Sequence, residues 1–265
     1  MIFPDTGLPE KISFLKSTME KAELIIIGAG SDLSSAAGLN FDDTIIFNNI
    51  FPGYNKCYGL KTINEALAYQ FPEPENQYAF WIKLIFIVRY NFYVQKPYQD
   101  LYRIMKNKFL YIVTTNIDGL LIRAGFPPEI ICSAHGDLAY FQCSRPCTAK
   151  IYSNKQWVMS KWSHIFADPL RFPVKYIPQC PECGSFLIPS IRYCDNFMDK
   201  PWFANYGRIN KSIEACNGKN ILLFELGAGL NSNESIQYPF EELARRKNIT
   251  MVRLSLNDIH KFIFS

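Results

Sequence analysis

The sequence predicts an α/β protein in which a doubly wound parallel sheet is joined by a helical module and a smaller cysteine-containing lobe. Short, continuous apolar runs alternate with helical patterns, which is typical of strands buried on both faces of a parallel sheet. The runs end in glycine or polar residues, as strands do at the ligand-binding edge of such a sheet. Two short-spaced cysteine pairs predict the lobe. The runs occupy residues 24–27, 109–113, 129–132, 220–225 and 250–254.

The composition is that of an ordinary globular protein. With 265 residues, the chain is long enough to form one large domain or two unequal ones. Hydrophobic residues make up 48% and charged residues 20%, which excludes a disordered chain. The formal net charge is only +4 and no basic stripe stands out, so we expect no nucleic-acid partner.

Nothing in the sequence predicts a membrane segment. The N-terminus lacks the basic and apolar regions of a signal peptide. The most apolar segment, residues 78–94, contains Lys83, Arg89 and Asn91. Charges within such a span would be costly in a bilayer, so we expect a buried helix, no membrane association and a cytoplasmic location. In that compartment, clustered cysteines indicate a metal before disulfides.

The first strand and the turn after it predict an anion-binding site. An amphipathic helix over residues 9–22 precedes strand 24–27, after which Gly28 and Gly30 allow a sharp turn close to a ligand. Residues 34–37 suit a helix N-terminus, where free N–H groups and the helix dipole favour an anion such as a dinucleotide pyrophosphate. An ordinary βα turn is the alternative, because the full G-x-G-x-x-G spacing is missing.

A mainly helical insertion is expected over residues 42–98. The sequence predicts one helix over 61–70, which prolines end, and a longer helix over 76–94. The longer helix is apolar nearly all round, so we expect it to pack on most sides; a channel for an apolar substrate arm is the alternative. A further helix is expected over 98–106.

Polar side chains follow the second and third strands. Asn116 and Asp118 follow the second strand, and His135, one of three histidines, follows the third. Because the carboxyl ends of parallel strands meet at one edge, we expect these side chains on one rim with Gly30. The position of His135 between a strand and a glycine favours a functional role over a hydrogen-bonded core role. Asn116 and Asp118 as simple turn formers are the alternative.

Four of the eight cysteines predict a metal site. Each pair can supply two thiolates from a tight turn, and two such turns close the tetrahedral four-thiolate site that zinc prefers. With four protein ligands the zinc is structural; unmetallated thiols or a disulfide are the alternative. The lobe is expected over residues 141–184, between the two parts, 1–140 and 185–265, of a Rossmann-like domain. The ligands are Cys143, Cys147, Cys180 and Cys183.

A second glycine turn follows strand 220–225. Its backbone groups are expected to hold the adenosine end of a dinucleotide, opposite the first turn. A helix over 239–247 and a last strand that ends at Ser255 complete the alternating pattern. The residues of this second site are Gly227, Ala228, Gly229 and Asn231.

These positions resemble the motifs of the sirtuin family of NAD-dependent enzymes, in the same order and over most of the chain. Residues 28–30 and 33–38 are similar to its GAG-x-S-x-x-x-G nucleotide loop, and residues 114–118 to its T-Q-N-I-D motif. His135 with Gly136 matches its H-G pair. The four cysteines match its zinc ribbon, the second glycine turn falls where the family has G-T-S or G-S-S, and the last strand ends where it often has Asn.

The departures from the family pattern indicate which branch of the family this sequence resembles most. Ser31 and Asp32 lengthen the first loop, the arginine of G-I-P-D-F-R is missing, and Thr115 replaces Gln. Residues 191–196 differ from the V-x-F-G-E segment that pairs with acyl-lysine peptides. The sequence looks most like the macrodomain-linked branch, which is associated with ADP-ribosylation of lipoyl-carrier proteins. That branch typically has Gln where this chain has His135.

The resemblance implies an NAD-dependent mono-ADP-ribosyltransferase that acts on a protein, such as a lipoylated carrier, with a macrodomain partner. A lysine deacylase is the alternative, and a non-catalytic NAD- or ADP-ribose-binding module is the third hypothesis. Asn116 would order the ribose, Asp118 would hold the carboxamide, and His135 would accept a proton near neutral pH. The implied NAD-binding residues are Gly28, Ala29, Gly30, Ser31, Asp32, Leu33, Ser34, Thr114, Thr115, Asn116, Ile117, Asp118, Gly227, Ala228, Gly229, Asn231 and Ser255.

Overall fold

A computed structural model describes residues 8–194, 196–228, 232–255 and 258 of the chain. The strands in this part of the chain are β1 (Leu24–Ala29), β2 (Leu110–Thr114), β3 (Ile131–Ser133), β4 (Gly136–Cys143), β5 (Tyr152–Ser153), β6 (Leu187–Ile191), β7 (Ile221–Leu226) and β8 (Ile249–Leu254). Five of them form a parallel sheet in the order β3-β2-β1-β7-β8. The predicted parallel α/β sheet is therefore confirmed.

Helices cover both faces of this sheet. Alternate residues of β1 face opposite sides, so that Ile25 and Ile27 join one buried cluster while Leu24 and Ile26 join another. The helices are α1 (Leu8–Lys21), α2 (Ser31–Ala36), α3 (Thr44–Ile50), α4 (Tyr54–Tyr58), α5 (Ile63–Ala68), α6 (Pro74–Leu84), α7 (Lys96–Met105), α8 (Leu120–Ala124), α9 (Lys155–Lys161), α10 (Tyr206–Ala215) and α11 (Tyr238–Leu243). Helix α10 packs on the second cluster, and the helical module packs on the first.

The helical module differs in detail from its prediction. Helix α5 is shorter than expected because Thr62 caps it, accepting a hydrogen bond from the backbone N–H of Glu65 at 3.0 Å. The long predicted helix over 76–94 is not uniform: α6 ends at Leu84, and a π-helical segment, Ile85–Asn91, continues it. Tyr78 and Phe80 are buried in the core and Trp81, Phe86, Tyr90 and Phe92 are partly buried against it, as expected for a helix covered on most sides, whereas Tyr93 is exposed.

A second sheet was not predicted from the sequence. Strand β4 begins directly after His135 and pairs antiparallel with both β5 and β6. At its start, Gly136 has a φ of +82°, and a Cβ there would lie 1.9 Å from the carbonyl oxygen of Ser190. The predicted domain boundaries at residues 140 and 185 stay a prediction. The second sheet combines β5, from within the predicted lobe, with β6, from beyond it, and β4 crosses the first boundary. Among the described residues, no helix combines the length and apolarity of a membrane span.

Candidate functional site

A cavity of about 220 Å³ lies at the carboxyl edge of the parallel sheet. Residue pairing aligns Ala29 of β1 with Thr114 of β2, and Thr114 with Ser133 of β3, so the segments that follow these strands emerge side by side. Asn116, Asp118 and His135, three of the four residues expected on one rim, all line this cavity, whereas Gly30 does not. The predicted residues that line the cavity are Ser31, Asp32, Ser34, Thr115, Asn116, Ile117, Asp118 and His135.

The remaining predicted residues lie behind this lining or away from it. Thr114 supports the turn, because its hydroxyl donates to the carbonyl of Ala29 at 2.8 Å. Ser255 does not line the cavity; its hydroxyl donates to Asp258 at 2.9 Å. Gly28, Ala29, Gly30, Leu33, Gly227 and Ala228 also lie outside the lining, and Gly229 and Asn231 lie outside the described residues.

The two glycine turns are in direct contact. The N–H of Gly30 donates to the carbonyl of Leu226 at 3.0 Å, and the N–H of Asp32 donates to that of Gly227 at 3.2 Å. A Cβ on Gly30 would lie 2.4 Å from the carbonyl oxygen of Gly227. Only glycine fits at this position, because any side chain would collide with the backbone of the second turn. The absence of a side chain therefore allows the ends of β1 and β7 to approach each other closely.

Asp118 is a buried carboxylate, 3% exposed, at the base of the cavity. Its Oδ2 accepts a hydrogen bond from the hydroxyl of Ser34 at 2.6 Å, and its Oδ1 accepts one from the N–H of Leu120 at 2.8 Å. Burial raises the pKa of Asp118 above its usual value, while these two hydrogen bonds act in the opposite direction. The carboxylate is therefore held in one orientation by α2 and the start of α8.

Asn116 is oriented by two protein acceptors. Its Nδ2 donates to the carbonyl of Gly30 at 2.9 Å and to the hydroxyl of Tyr98 at 3.2 Å. Because both amide hydrogens have partners, the Oδ1 acceptor is the group that this side chain can offer to a ligand.

Sequence reasoning missed Tyr98, a fully buried residue of α7 whose hydroxyl also lies 2.8 Å from Ser34 Oγ. In the sequence it follows a proline at the start of an ordinary amphipathic helix, so no local signal marks it. We expect Tyr98→Phe to lower the free energy of unfolding by about 1–2 kcal/mol, because two buried hydrogen bonds lose a partner. Urea denaturation measures this change.

The matched control for this prediction is Tyr102→Phe. Tyr102 lies one turn further along α7, packs its ring against Phe126, and has no hydroxyl hydrogen bond among the described residues. We expect a change within about 0.5 kcal/mol for this variant. Equal stability of the two variants would contradict the role given to the Tyr98 hydroxyl.

His135 also lines the cavity. Its backbone carbonyl accepts a hydrogen bond from the N–H of Arg192 at 3.0 Å, which ties it to the end of β6. Burial, assisted by the charge of Arg192, lowers the pKa of His135 to about 4. The imidazole is therefore neutral at pH 7, with a ring nitrogen able to accept a proton, but it is a weaker base than the imidazole with its usual pKa that was expected from the sequence.

The lining also contains residues that the predictions did not include. The side-chain amide of Asn64 donates to Asp42 Oδ1 at 2.7 Å, and Tyr193 lies beside them in the lining. The hydroxyl of Ser232, another lining residue, lies 2.8 Å from that of Thr115, which links the segment after β2 to the segment after β7. Asn64 comes from the helical module, far from any motif, so the sequence contains no local signal for it.

The four predicted metal ligands come together at the end of β4. Their Sγ atoms all lie within 4.8 Å of one another, and three of the separations are 3.5, 3.5 and 3.6 Å. A tetrahedral zinc with bonds of about 2.3 Å separates its sulfur atoms by about 3.8 Å, so the thiol set fits zinc. The backbone N–H of Arg145 also points at Cys143 Sγ, at 3.4 Å, as expected around a thiolate. Four ligands leave no open position, which makes such a site structural.

Comparisons with known proteins agree with this architecture. A "probable bifunctional ADP-ribose hydrolase/ADP-ribosyltransferase" of Fusarium oxysporum f. sp. cubense is 26% identical over 96% of this chain, which spans 44% of that protein's length. A "protein ADP-ribosyltransferase" of Staphylococcus aureus strain Mu50 is 23% identical over 92% of this chain and 76% of its own.

Solved structures show the same fold. An ADP-ribose complex of a Sir2 homologue has a TM-score of 0.58 at 15% identity, covering 95% of this chain and 94% of its own. A complex described as Sir2 with a p53 peptide and NAD+ has a TM-score of 0.53 at 17% identity, covering 96% and 95%. The model described as the Sir2 family matches residues 60–217, more than half of the sequence. The chain therefore belongs to the Sir2 family.

Proposed function

We propose that this protein is an NAD-dependent protein mono-ADP-ribosyltransferase of the sirtuin type. The observation that carries the proposal is the convergence of Asn116, Asp118 and His135 on one cavity beside two contacting glycine turns. The names of the two curated relatives support transfer of ADP-ribose over removal of an acyl group.

The donor set of the cavity fits a dinucleotide. The turn at residues 28–34 would hold the pyrophosphate, together with Thr114, Thr115 and Ile117 of the neighbouring strand end. The second turn, which includes Gly227, Ala228, Gly229 and Asn231, would hold the adenosine end with Ser255. NAD supplies a positively charged nicotinamide, a good leaving group whose departure opens the ribose C1′ to a nucleophile.

The chain's own side chains have separate tasks in this proposal. Asp118 would accept a hydrogen bond from the carboxamide and orient it, since its carboxylate is already fixed by Ser34 and Leu120. Asn116 Oδ1 would accept from a ribose hydroxyl or a bound water. Neutral His135 would accept the proton that an attacking protein nucleophile releases as its bond to the ribose forms.

Lysine deacylation is the second candidate, and the presence of His135 favours it, because the branch that this sequence resembles typically has Gln there. A non-catalytic NAD- or ADP-ribose-binding module is the third.

We propose a lipoylated carrier protein as the acceptor and a macrodomain protein as a partner. The name of the Fusarium relative, which joins an ADP-ribose hydrolase to a transferase, supports the macrodomain partner. A cytoplasmic location stays a prediction.

One incubation distinguishes the three functions. The protein is mixed with labelled NAD, a lipoylated carrier and an acyl-lysine peptide, and the products are separated. Label on the carrier supports transfer, O-acyl-ADP-ribose supports deacylation, and the absence of released nicotinamide leaves only binding. Transfer to the carrier but not to its unlipoylated form would identify the lipoyl-bearing protein as the acceptor.

The substitution His135→Ala tests whether a base is required. The lowered pKa of His135 predicts that the wild-type rate falls only as the pH drops through about 4. Because the neutral imidazole is the active form, the transfer activity is present above the pKa of His135 and is lost below it. If His135 is the base, the variant loses at least about 100-fold in transfer rate, within the range for general-base catalysis. Unchanged transfer at every pH would remove His135 from the mechanism.

A further inference from the structure

We propose that the buried pair Arg89–Asp137 is a positioning element of the reaction centre. It holds the segment that carries Asp118 and the segment that carries His135 in one fixed arrangement. This inference rests on the proposed function for its activity readout and deepens it.

The pair has the geometry of a strong, enclosed interaction. Arg89 Nε lies 2.6 Å from Asp137 Oδ1, and Arg89 Nη2 lies 3.2 Å from Oδ2, so the guanidinium binds both carboxylate oxygens. The two residues are 8% and 2% exposed. Asp137 Oδ1 also accepts the N–H of Ala139 at 2.6 Å. A buried pair of this kind is weak evidence for stability, because desolvation offsets the attraction, and a positioning role accounts for it better.

The guanidinium touches both functional segments. Asp137 is two residues beyond His135, at the start of β4. On the other side, a Cβ on Gly119 would lie 2.3 Å from both Cζ and Nε of Arg89. Gly119 directly follows Asp118 and has a φ of +65°. Arg89 therefore lies between the backbone next to Asp118 and the carboxylate next to His135.

The position of Arg89 depends on the π-helical segment Ile85–Asn91. Its own carbonyl accepts a hydrogen bond from Arg123 Nη1 at 3.2 Å, and Arg123 also donates to the carbonyl of Phe92. π-Helical turns within α-helices occur frequently at functional sites. Here the segment, which belongs to the helical module, directs Arg89 towards Asp137 and Gly119.

Backbone hydrogen bonds join the same two segments but leave a polar space between them. The N–H of Leu138 donates to the carbonyl of Ile117 at 2.9 Å. A void of about 10 Å³, enough for one water, is bounded by Asp118, Gly119 and Asp137. Two buried acids thus line one small space. Arg89 binds one of them, Asp137, and lies against Gly119, which also lines the space.

The titratable groups that interact with Asp118 come from several elements. They are Tyr98 of α7, Asp137 of β4, Arg89 of the π-helical segment and Arg123 of α8. Asp137 raises the pKa of Asp118, and Arg89 lowers it. Removing Arg89 alone would therefore leave two neighbouring acids without their shared cation.

The test compares Arg89→Met with the double variant Arg89→Met/Asp137→Asn. The pKa of Asp118 is read from its carboxyl ¹³C resonance, assigned by its loss in Asp118→Asn, so this readout does not need activity. We expect the pKa to rise in the single variant and to return towards the wild-type value in the double variant. Nicotinamide release is expected to fall about 10- to 100-fold in both, because the two segments are no longer tied together.

The matched control is Arg253→Met, which also removes the arginine from a buried carboxylate. Arg253 Nε lies 2.6 Å from Oε1 of Glu225, which is 1% exposed. We expect this variant to lose thermal stability while the pKa of Asp118 stays unchanged. An unshifted Asp118 resonance in Arg89→Met, or full wild-type release by the double variant, would overturn the proposal. If the wild type releases no nicotinamide, the proposed function fails, and the resonance alone decides the positioning role.

Discussion

Replacing Cys180 by serine is expected to abolish zinc binding and unfold the small lobe. Cys180 is buried, 2% exposed, and its Sγ lies 3.6 Å from that of Cys147. A structural zinc site contributes on the order of 10 kcal/mol of apparent folding free energy, about as much as the whole stability of a typical domain. Zinc content per chain and a thermal melt followed by circular dichroism measure the loss.

The loss is expected to reach the cavity, because β4 connects the two sites. This strand begins at Gly136, next to His135, and ends at Cys143. The control is Cys216→Ser, which replaces a buried cysteine of α10's C-terminal cap that lies outside the metal cluster. We expect that variant to keep one zinc per chain. A Cys180→Ser protein that retains its zinc and has the same melting temperature as the control would contradict the assignment of Cys180 as a zinc ligand.

Asp118→Asn is expected to lower nicotinamide release by about 100- to 1,000-fold, as the loss of a preorganised electrostatic group does in other enzymes. The substitution keeps the shape of the side chain, and its amide oxygen can still accept the N–H of Leu120. The Ser34 hydroxyl can reverse and donate to Tyr98, which lies 2.8 Å away. The fold should therefore persist while the negative charge is lost. Single-turnover release of nicotinamide and a urea titration separate these two effects.

The matched control is Asp43→Asn. Asp43 caps α3 by accepting hydrogen bonds from Ile45 N at 2.7 Å and Ile46 N at 2.9 Å, and it does not line the cavity. Asparagine caps helices as well as aspartate does, so we expect neither stability nor release to change. An Asp118→Asn protein that releases nicotinamide as fast as this control would exclude the carboxylate from the chemistry.

The features that the sequence predicted well share one property: their signal is local. A strand buried on both faces needs a continuous apolar run, and all six residues of β1 and of β7 are buried. A four-thiolate metal site needs two cysteines on each of two tight turns, and that spacing is visible in the chain. The polar residues after β2 and β3 follow from the same rule, because parallel strands present their carboxyl ends together.

The features that the sequence did not predict depend on residues far apart in the chain. The Ser34–Tyr98 contact joins residues 64 positions apart, and the Arg89–Asp137 pair joins residues 48 positions apart. Strand β4 was also missed, since its pairing partner β6 lies beyond the whole metal lobe. Neither propensity nor spacing contains such information, because a polar residue in a helix or after a glycine is ordinarily a solvent-facing one.

By itself, the sequence determined the parallel sheet, the glycine turns, the cysteine quartet and the three polar residues of the rim. Each follows from backbone sterics, burial or ligand chemistry acting within a few residues. Only the tertiary structure decided how that rim is held. It buries Asp118, commits both amide hydrogens of Asn116, keeps His135 neutral and places Arg89 between their segments. These properties arise from desolvation and from contacts between distant elements, which exist only after the chain has folded.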